Sequence, residues 1–244
     1  MDLRLKDKVA LVTGSGNRIG YGRGIALSLA QEGCDIVSAD IDLEGARQTV
    51  AEVEAAGRSA LAVKVDVRNR DEVDAMVAQA LEKFGRIDIL VNNAGVSSKW
   101  KPFVEMTRDD WDYDIDVNLY GQMNVAQSVL PHMIAHGAGR IINTSGGQGI
   151  PGISMYGAAK GAIVQWTRAL AKEVGPSGVV VSVYSPGLGA TGLTAKDPRE
   201  MEQMAKMSPL GRLCTPDDVG PLVAFMASEL CDYFAGMFGG GSGS

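Results

Sequence analysis

A chain of 244 residues, 45% of them hydrophobic, fits one large α/β domain better than two small ones and can bury a sizeable core. The formal net charge of -6, with 23 basic against 29 acidic residues and no Lys/Arg block, argues against a nucleic-acid partner. No apolar run approaches the roughly 18 residues of a membrane span, and Met1–Lys8 lacks the features of a secretory signal. Cys34, Cys214 and Cys231 have no CxxC spacing. These features predict a soluble cytoplasmic protein with reduced thiols, no membrane partner and no zinc site.

Short β-branched runs alternate with longer segments of helical period, which predicts a single doubly wound, Rossmann-like parallel sheet of about seven strands with helices on both faces. The first strand, 8–13, runs into Gly14-Ser15-Gly16-Asn17-Arg18-Ile19-Gly20-Tyr21-Gly22 and a helix over 22–32. Glycines there let backbone N–H groups approach a pyrophosphate at the helix N-terminus. The second strand, 35–39, is closed by Asp40, 18 residues beyond Gly22, where a carboxylate can bond both hydroxyls of an adenosine ribose and repel a 2'-phosphate. That spacing predicts NAD rather than NADP, with Arg18 and Arg47 as a competing phosphate clamp. The bland alternative is a glycine turn beside a surface Asp.

Further along, helices are predicted over 42–56, 69–84, 110–136, 155–174 and 216–228, and strands over 59–65, 86–91, 139–144 and 178–184. Asn143-Thr144-Ser145 is a formal glycosylation sequon. Segment 187–214, rich in Gly, Thr, Met and charge, reads as a substrate lid. A seventh strand is expected over 234–239, although glycine weakens strands there.

The order of motifs resembles the short-chain dehydrogenase/reductase family from end to end: Thr13-Gly14, Asp66-Val67 after the third strand, Asn92-Asn93-Ala94-Gly95 after the fourth, Asn118, Tyr156-Gly157-Ala158-Ala159-Lys160, and Pro186-Gly187 with Thr191. The resemblance implies that Gly14, Asn17, Ile19, Gly20 and Gly22 hold the pyrophosphate, that Asp66 and Val67 hold the adenine, and that Asn93, Ala94 and Gly95 line the adenosine ribose. Pro186, Gly187 and Thr191 complete the cofactor site, with Thr191 on the nicotinamide carboxamide. The implied catalytic set is Asn118, Ser145, Tyr156 and Lys160.

Tyr and Lys four apart on a helix share a face. A phenol with pKa near 10 is only about a thousandth ionised at pH 7, so a nearby ammonium that lowers its pKa would supply a usable general base. Outside this context such a pair reads as a snorkelling Lys beside a packed Tyr. The family further implies that Lys160 bonds the nicotinamide ribose and that Asn118 holds a water linking Lys160 to solvent. Without it, a mid-helix Asn is usually a surface or back-bonding residue. Ser145, after the fifth strand, is the candidate to bond the substrate oxygen. His132 and His136 suit a helix C-terminus and predict no metal. Met201, Met204 and Met207 form a packing stripe or an apolar substrate cover. Trp100, Trp111 and Trp166 are expected in the core or an interface, with Trp100 able to line the pocket.

Two spacings depart from the family pattern. Five residues separate Gly14 from Gly20, and a shorter alignment would put Arg18 in place of a glycine. Ser145 lies only eleven positions before Tyr156, and counting from the strand start puts Gly146 at the serine place. Ser154 is the competing hydroxyl, but reads as a helix N-cap. The function implied is interconversion of a secondary or cyclic alcohol and its ketone by an NAD(H)-dependent homotetramer associating through 110–136 and 155–174. The alternatives are a 3-oxoacyl-carrier reductase, which in this family usually takes NADP, and a non-catalytic dinucleotide-binding regulator.

Overall fold

The computed structural model describes residues 1–97, 100–147, 149–189, 197–236 and 238–240. Seven strands, β1 (Val9–Thr13), β2 (Asp35–Asp40), β3 (Ala60–Lys64), β4 (Ile89–Asn92), β5 (Gly139–Thr144), β6 (Val179–Ser185) and β7 (Phe238–Gly240), form one sheet in the order β3-β2-β1-β4-β5-β6-β7. Every pairing is parallel. All five residues of β1 are buried, the continuous apolar reading expected of a strand covered on both faces. Because β1 pairs with β2 on one side and β4 on the other, the sheet grows in opposite directions from β1, and the strand ends there open into a crevice.

The helices are α1 (Tyr21–Gln31), α2 (Leu43–Ala55), α3 (Arg70–Phe84), α4 (Arg108–Ile115), α5 (Gly121–His136), α6 (Ser154–Val174), α7 (Pro198–Met207) and α8 (Pro216–Ala227). Their caps are local sequence effects. Asp42 accepts the N–H groups of Glu44 and Gly45 to start α2, and Asn69 accepts those of Asp71 and Glu72 to start α3. Ile25, Leu29, Val219 and Val223 pack on one face of the sheet, while Val73, Met76, Val125 and Val129 pack on the other.

Three expectations are corrected. The helix foreseen over 110–136 is two helices joined by a π-helical turn at Asp116–Tyr120, so Asn118 sits in a widened turn. The strand foreseen from 86 begins only at Ile89; just before it the Asp88 side chain accepts the Val9 N–H at 2.8 Å and pairs with Arg86. At the C-terminal end, Glu229–Phe234 coils as a 3-10 helix and pairing starts at Phe238. Among the described residues, no helix is long and apolar enough to cross a membrane.

Candidate active site

The glycine loop is built for close approach. Gly14 has φ +67°, and a Cβ there would stand 2.7 Å from Ala94 Cα. A Cβ at Gly22 would stand 2.2 Å from the Gly14 carbonyl oxygen. With Gly20 as the N-cap of α1, both later glycines lie at the helix start, which selects the longer loop of the two alignments. Within the loop Asn17, Arg18 and Ile19 are exposed, Gly16 N–H donates to Asp40 Oδ2 at 2.7 Å, and Ile19 N–H donates to Asn17 Oδ1 at 3.0 Å. Asn93 Nδ2 donates to the carbonyls of Thr13 and Gly14 at 3.0 and 3.1 Å, while the N–H groups of Asn93 and Ala94 donate to Thr13 Oγ1, each at 3.1 Å. The ends of β1 and β4 are thereby locked together.

A cavity of about 1030 Å³ starts at Asp40, Asp66, Val67 and Arg68, passes Gly14 and Asn93–Gly95, and ends among Tyr156, Lys160, Ser185, Trp100 and Met204. Asp40 Oδ1 also accepts the Asp42 N–H at 2.9 Å. Both candidate clamp residues are matched by acids of α2: Arg18 lies 3.3 Å from Glu52 and Arg47 3.8 Å from Glu44. The Arg68 guanidinium beside Asp66 holds its carboxyl below the usual range. A cradle that a Cβ at Gly14 or Gly22 would fill, continuous with a cleft from two carboxylates to Tyr156, fits an extended dinucleotide.

At the far end, Tyr156 and Lys160 stand on one face of α6, with the Lys160 Nζ 5.6 Å from the phenol ring centre. Nζ donates to the Thr144 carbonyl at 3.1 Å. Burial pushes the Tyr156 hydroxyl up to about 12, with Asp114 adding in the same direction, and pushes Lys160 down to about 7. This reverses the expectation of a phenol acidified by its neighbour. Desolvation disfavours the charged form of each group.

Asn118 is fully buried and its amide is committed: Nδ2 donates to the Asp114 and Val96 carbonyls, both at 2.8 Å, and Oδ1 accepts the Val96 N–H at 3.3 Å. Ser145 Oγ donates to the Lys160 carbonyl at 2.7 Å. Ser154 is the first residue of α6 rather than its N-cap. That position is Ile153, and the Ser154 hydroxyl faces Met106 Sδ at 3.7 Å. Gly147 is required by Tyr156, since a Cβ there would meet the ring at 2.3 Å. Pro186 and Gly187 line the cavity, whereas Thr191 lies outside the described residues.

Several features escaped the sequence reading. Asn143 is fully buried and donates to Thr167 Oγ1 at 2.8 Å, so the sequon faces the interior. Gln122 Nε2 donates to the Thr144 carbonyl at 3.0 Å, sharing it with Lys160. Tyr21, Leu188 and Ser185 line the cavity. An aromatic residue inside a small-residue loop and a hydroxyl directly before Pro186-Gly187 were the available signals. Trp100 is 65% exposed and on the cavity wall, Trp111 stacks on Phe103 at 5.5 Å, and Trp166 packs on the core. Met204 and Met207 line the cavity. His136 Nδ1 lies 2.9 Å from the His132 carbonyl.

Over residues 14–238 the chain matches the family described as enoyl-(acyl carrier protein) reductase. It is 36% identical over 238 residues to the 3-oxoacyl-[acyl-carrier-protein] reductase FabG of Thermotoga maritima, covering 96% of each chain. To the oxidoreductase UcpA of Salmonella typhimurium it is 39% identical over 246 residues, covering 96% of this chain and 92% of that one. A short-chain type dehydrogenase/reductase from Mycobacterium marinum superposes with a TM-score of 0.93 at 29% identity, over 99% of this chain and 96% of that one. An NAD+-bound xylitol dehydrogenase does so with a TM-score of 0.92 at 29% identity, over 99% and 100%. The chain belongs to the short-chain dehydrogenase/reductase family, whose members are oxidoreductases that bind a nicotinamide dinucleotide and act on small molecules.

Proposed function

We propose that the protein is an NAD(H)-dependent oxidoreductase interconverting a secondary or cyclic alcohol and its ketone. The observation that carries this reading is the pair of half-buried Tyr156 and buried Lys160 at one end of a cavity whose other end presents Asp40. Gly14, Asn17, Ile19, Gly20 and Gly22 would hold the pyrophosphate at the N-terminus of α1. Asp66 and Val67 would hold the adenine, Asn93, Ala94 and Gly95 the adenosine ribose, and Pro186, Gly187 and Thr191 the nicotinamide end. Asp40 favours NAD over NADP by roughly 1–3 kcal/mol, a charge-assisted bond to ribose hydroxyls set against a carboxylate–phosphate clash.

The bound dinucleotide supplies or accepts the hydride. Tyr156, protonated at neutral pH, donates its proton to the ketone oxygen in reduction and takes the hydroxyl proton in oxidation. Lys160 would return the phenol's proton and would bond the nicotinamide ribose of a bound dinucleotide. Asn118 positions Val96 and the π turn, leaving any relay water to backbone groups. Ser145, its proton given to the Lys160 carbonyl, positions the helix that carries Lys160.

The lid reading of 187–214 is supported by its described parts: Cys214 N–H donates to the Leu188 carbonyl at 2.7 Å, and Met204 and Met207 of α7 line the cavity. Exposed Tyr113, Tyr120 and Ile134 on the 110–136 segment support a homotetramer.

The relative named 3-oxoacyl-[acyl-carrier-protein] reductase supports a second reading, reduction of a carrier-bound 3-oxoacyl group. Loss of absorbance at the reduced-nicotinamide band separates the two. NADH oxidation with cyclohexanone or acetophenone supports the first, and turnover confined to 3-oxoacyl substrates with NADPH replaces it. NADH binding with no turnover of either substrate class would favour the non-catalytic regulator.

A further inference from the structure

The turn after β5 leaves a gap beside the phenol. A Cβ built at Gly146 would meet nothing closer than Ser185 Oγ at 3.8 Å and Tyr156 Oη at 4.0 Å. Two hydroxyls therefore come within 4.0 Å of one unfilled point. Ser185 is the last residue of β6, only 3% exposed, and on the cavity wall. Its backbone is fixed by parallel pairing with β7 and by the adjacent Ser145 N–H to Tyr184 carbonyl bond of 2.8 Å. A hydroxyl on a strand end held from both sides is pre-positioned rather than recruited.

Three neighbouring hydroxyls, of Ser145, Ser154 and Thr144, are spent or turned away. Ser145 has given its single proton to the Lys160 carbonyl, and Ser154 faces Met106. Thr144 Oγ1 is sealed from solvent.

We propose that Ser185 supplies the hydroxyl that polarises the substrate carbonyl, in the space that Gly146 leaves opposite Tyr156. The proposal rests on the oxidoreductase reading and adds a residue to it. In reduction, a bound reduced nicotinamide would supply the hydride of the new C–H bond at the carbonyl carbon. The C=O π pair moves to oxygen, and that oxygen takes the Tyr156 proton. Ser185 keeps its own proton throughout and donates a hydrogen bond to the oxygen as negative charge develops there. Oxidation runs through the same contacts in reverse.

The test uses the full chain with NADH and three probe ketones: cyclohexanone, acetophenone and ethyl acetoacetate. Ser185→Ala is expected to lower kcat about ten- to a thousandfold, the range for losing one polarising donor. NADH affinity, read by nucleotide fluorescence, and the thermal midpoint should stay close to wild type. Ser185→Thr, which keeps a hydroxyl, should recover most of the rate, a rescue that a packing role would not give. Ser145→Ala should lose less than Ser185→Ala. If Ser185→Ala turns over within threefold of wild type while Tyr156→Phe is inactive, Ser185 is not the donor and the oxidoreductase reading stands. Loss of NADH affinity at unchanged kcat makes Ser185 a cofactor contact and likewise overturns the proposal. A wild type that binds NADH and reduces none of the probes overturns the underlying reading along with it.

Discussion

Replacing Lys160 by Met should make the protein more stable while disabling it. The amine is 2% exposed, and burial lowers its pKa from 10.5 to about 7. At about 1.4 kcal/mol per pH unit, that displacement costs roughly 5 kcal/mol of folding free energy wherever the unfolded chain carries the charge. The sign follows from the order of the two values. With the folded pKa below the unfolded one, the penalty is full below pH 7 and fades as pH climbs towards 10.5. Methionine removes the charge at similar length, at the loss of one donor to the Thr144 carbonyl, which keeps Gln122 Nε2. A carbonyl left with one of two partners costs about 1 kcal/mol, so the net gain should be about 2–4 kcal/mol near pH 6. Urea unfolding of the cofactor-free protein at pH 6 and pH 9.5 reads the difference directly, and the gain should shrink by roughly 3 kcal/mol at the higher pH. Equal stability of the two proteins, or a gain that does not change with pH, would refute the charge-burial account.

Tyr156→Phe should abolish turnover and leave NADH affinity nearly unchanged, as fluorescence titration beside a steady-state assay would show. Because the phenol is protonated up to about pH 12 in the free protein, its ionisation should not limit kcat/KM for ketone reduction below pH 9; a fall there that Tyr156 explains would contradict this. Asp40→Ser should narrow the NADH over NADPH preference by at least tenfold in kcat/KM, and a wild type that prefers NADPH would remove Asp40 from its assigned role. Gly22→Ala forces a methyl to 2.2 Å from the Gly14 carbonyl and should cost about 1–3 kcal/mol of stability together with most NADH affinity, measured by thermal melting and titration.

The alternation of β-branched runs with helical periods already determined a parallel, doubly wound sheet, because strands buried on both faces must read as β1 does. Asp40 at the end of β2 and the Tyr156–Lys160 spacing were legible for a related reason: backbone period alone places a strand-end carboxylate at the crevice and two side chains on one helix face. The glycine loop admitted two alignments in sequence, a longer loop and one of the usual length that puts Arg18 in place of a glycine. Contact of Gly22 with Gly14 selects one of them.

What tertiary structure alone decided was how each polar group spends its hydrogen bonds and its solvent. Ser145 and Asn118 carry the right donors at the right places in the chain, yet packing commits those donors to the carbonyls of Lys160, Asp114 and Val96. Ser185 shows in sequence only a strand-end hydroxyl directly before Pro186-Gly187, and becomes a candidate because β6 sets it beside the gap at Gly146. The spacing of Tyr156 and Lys160 brings the pair together, but their protonation follows from burial. Local sequence specifies which residues are neighbours along a helix or strand, whereas desolvation and donor allocation depend on what the rest of the fold places around them.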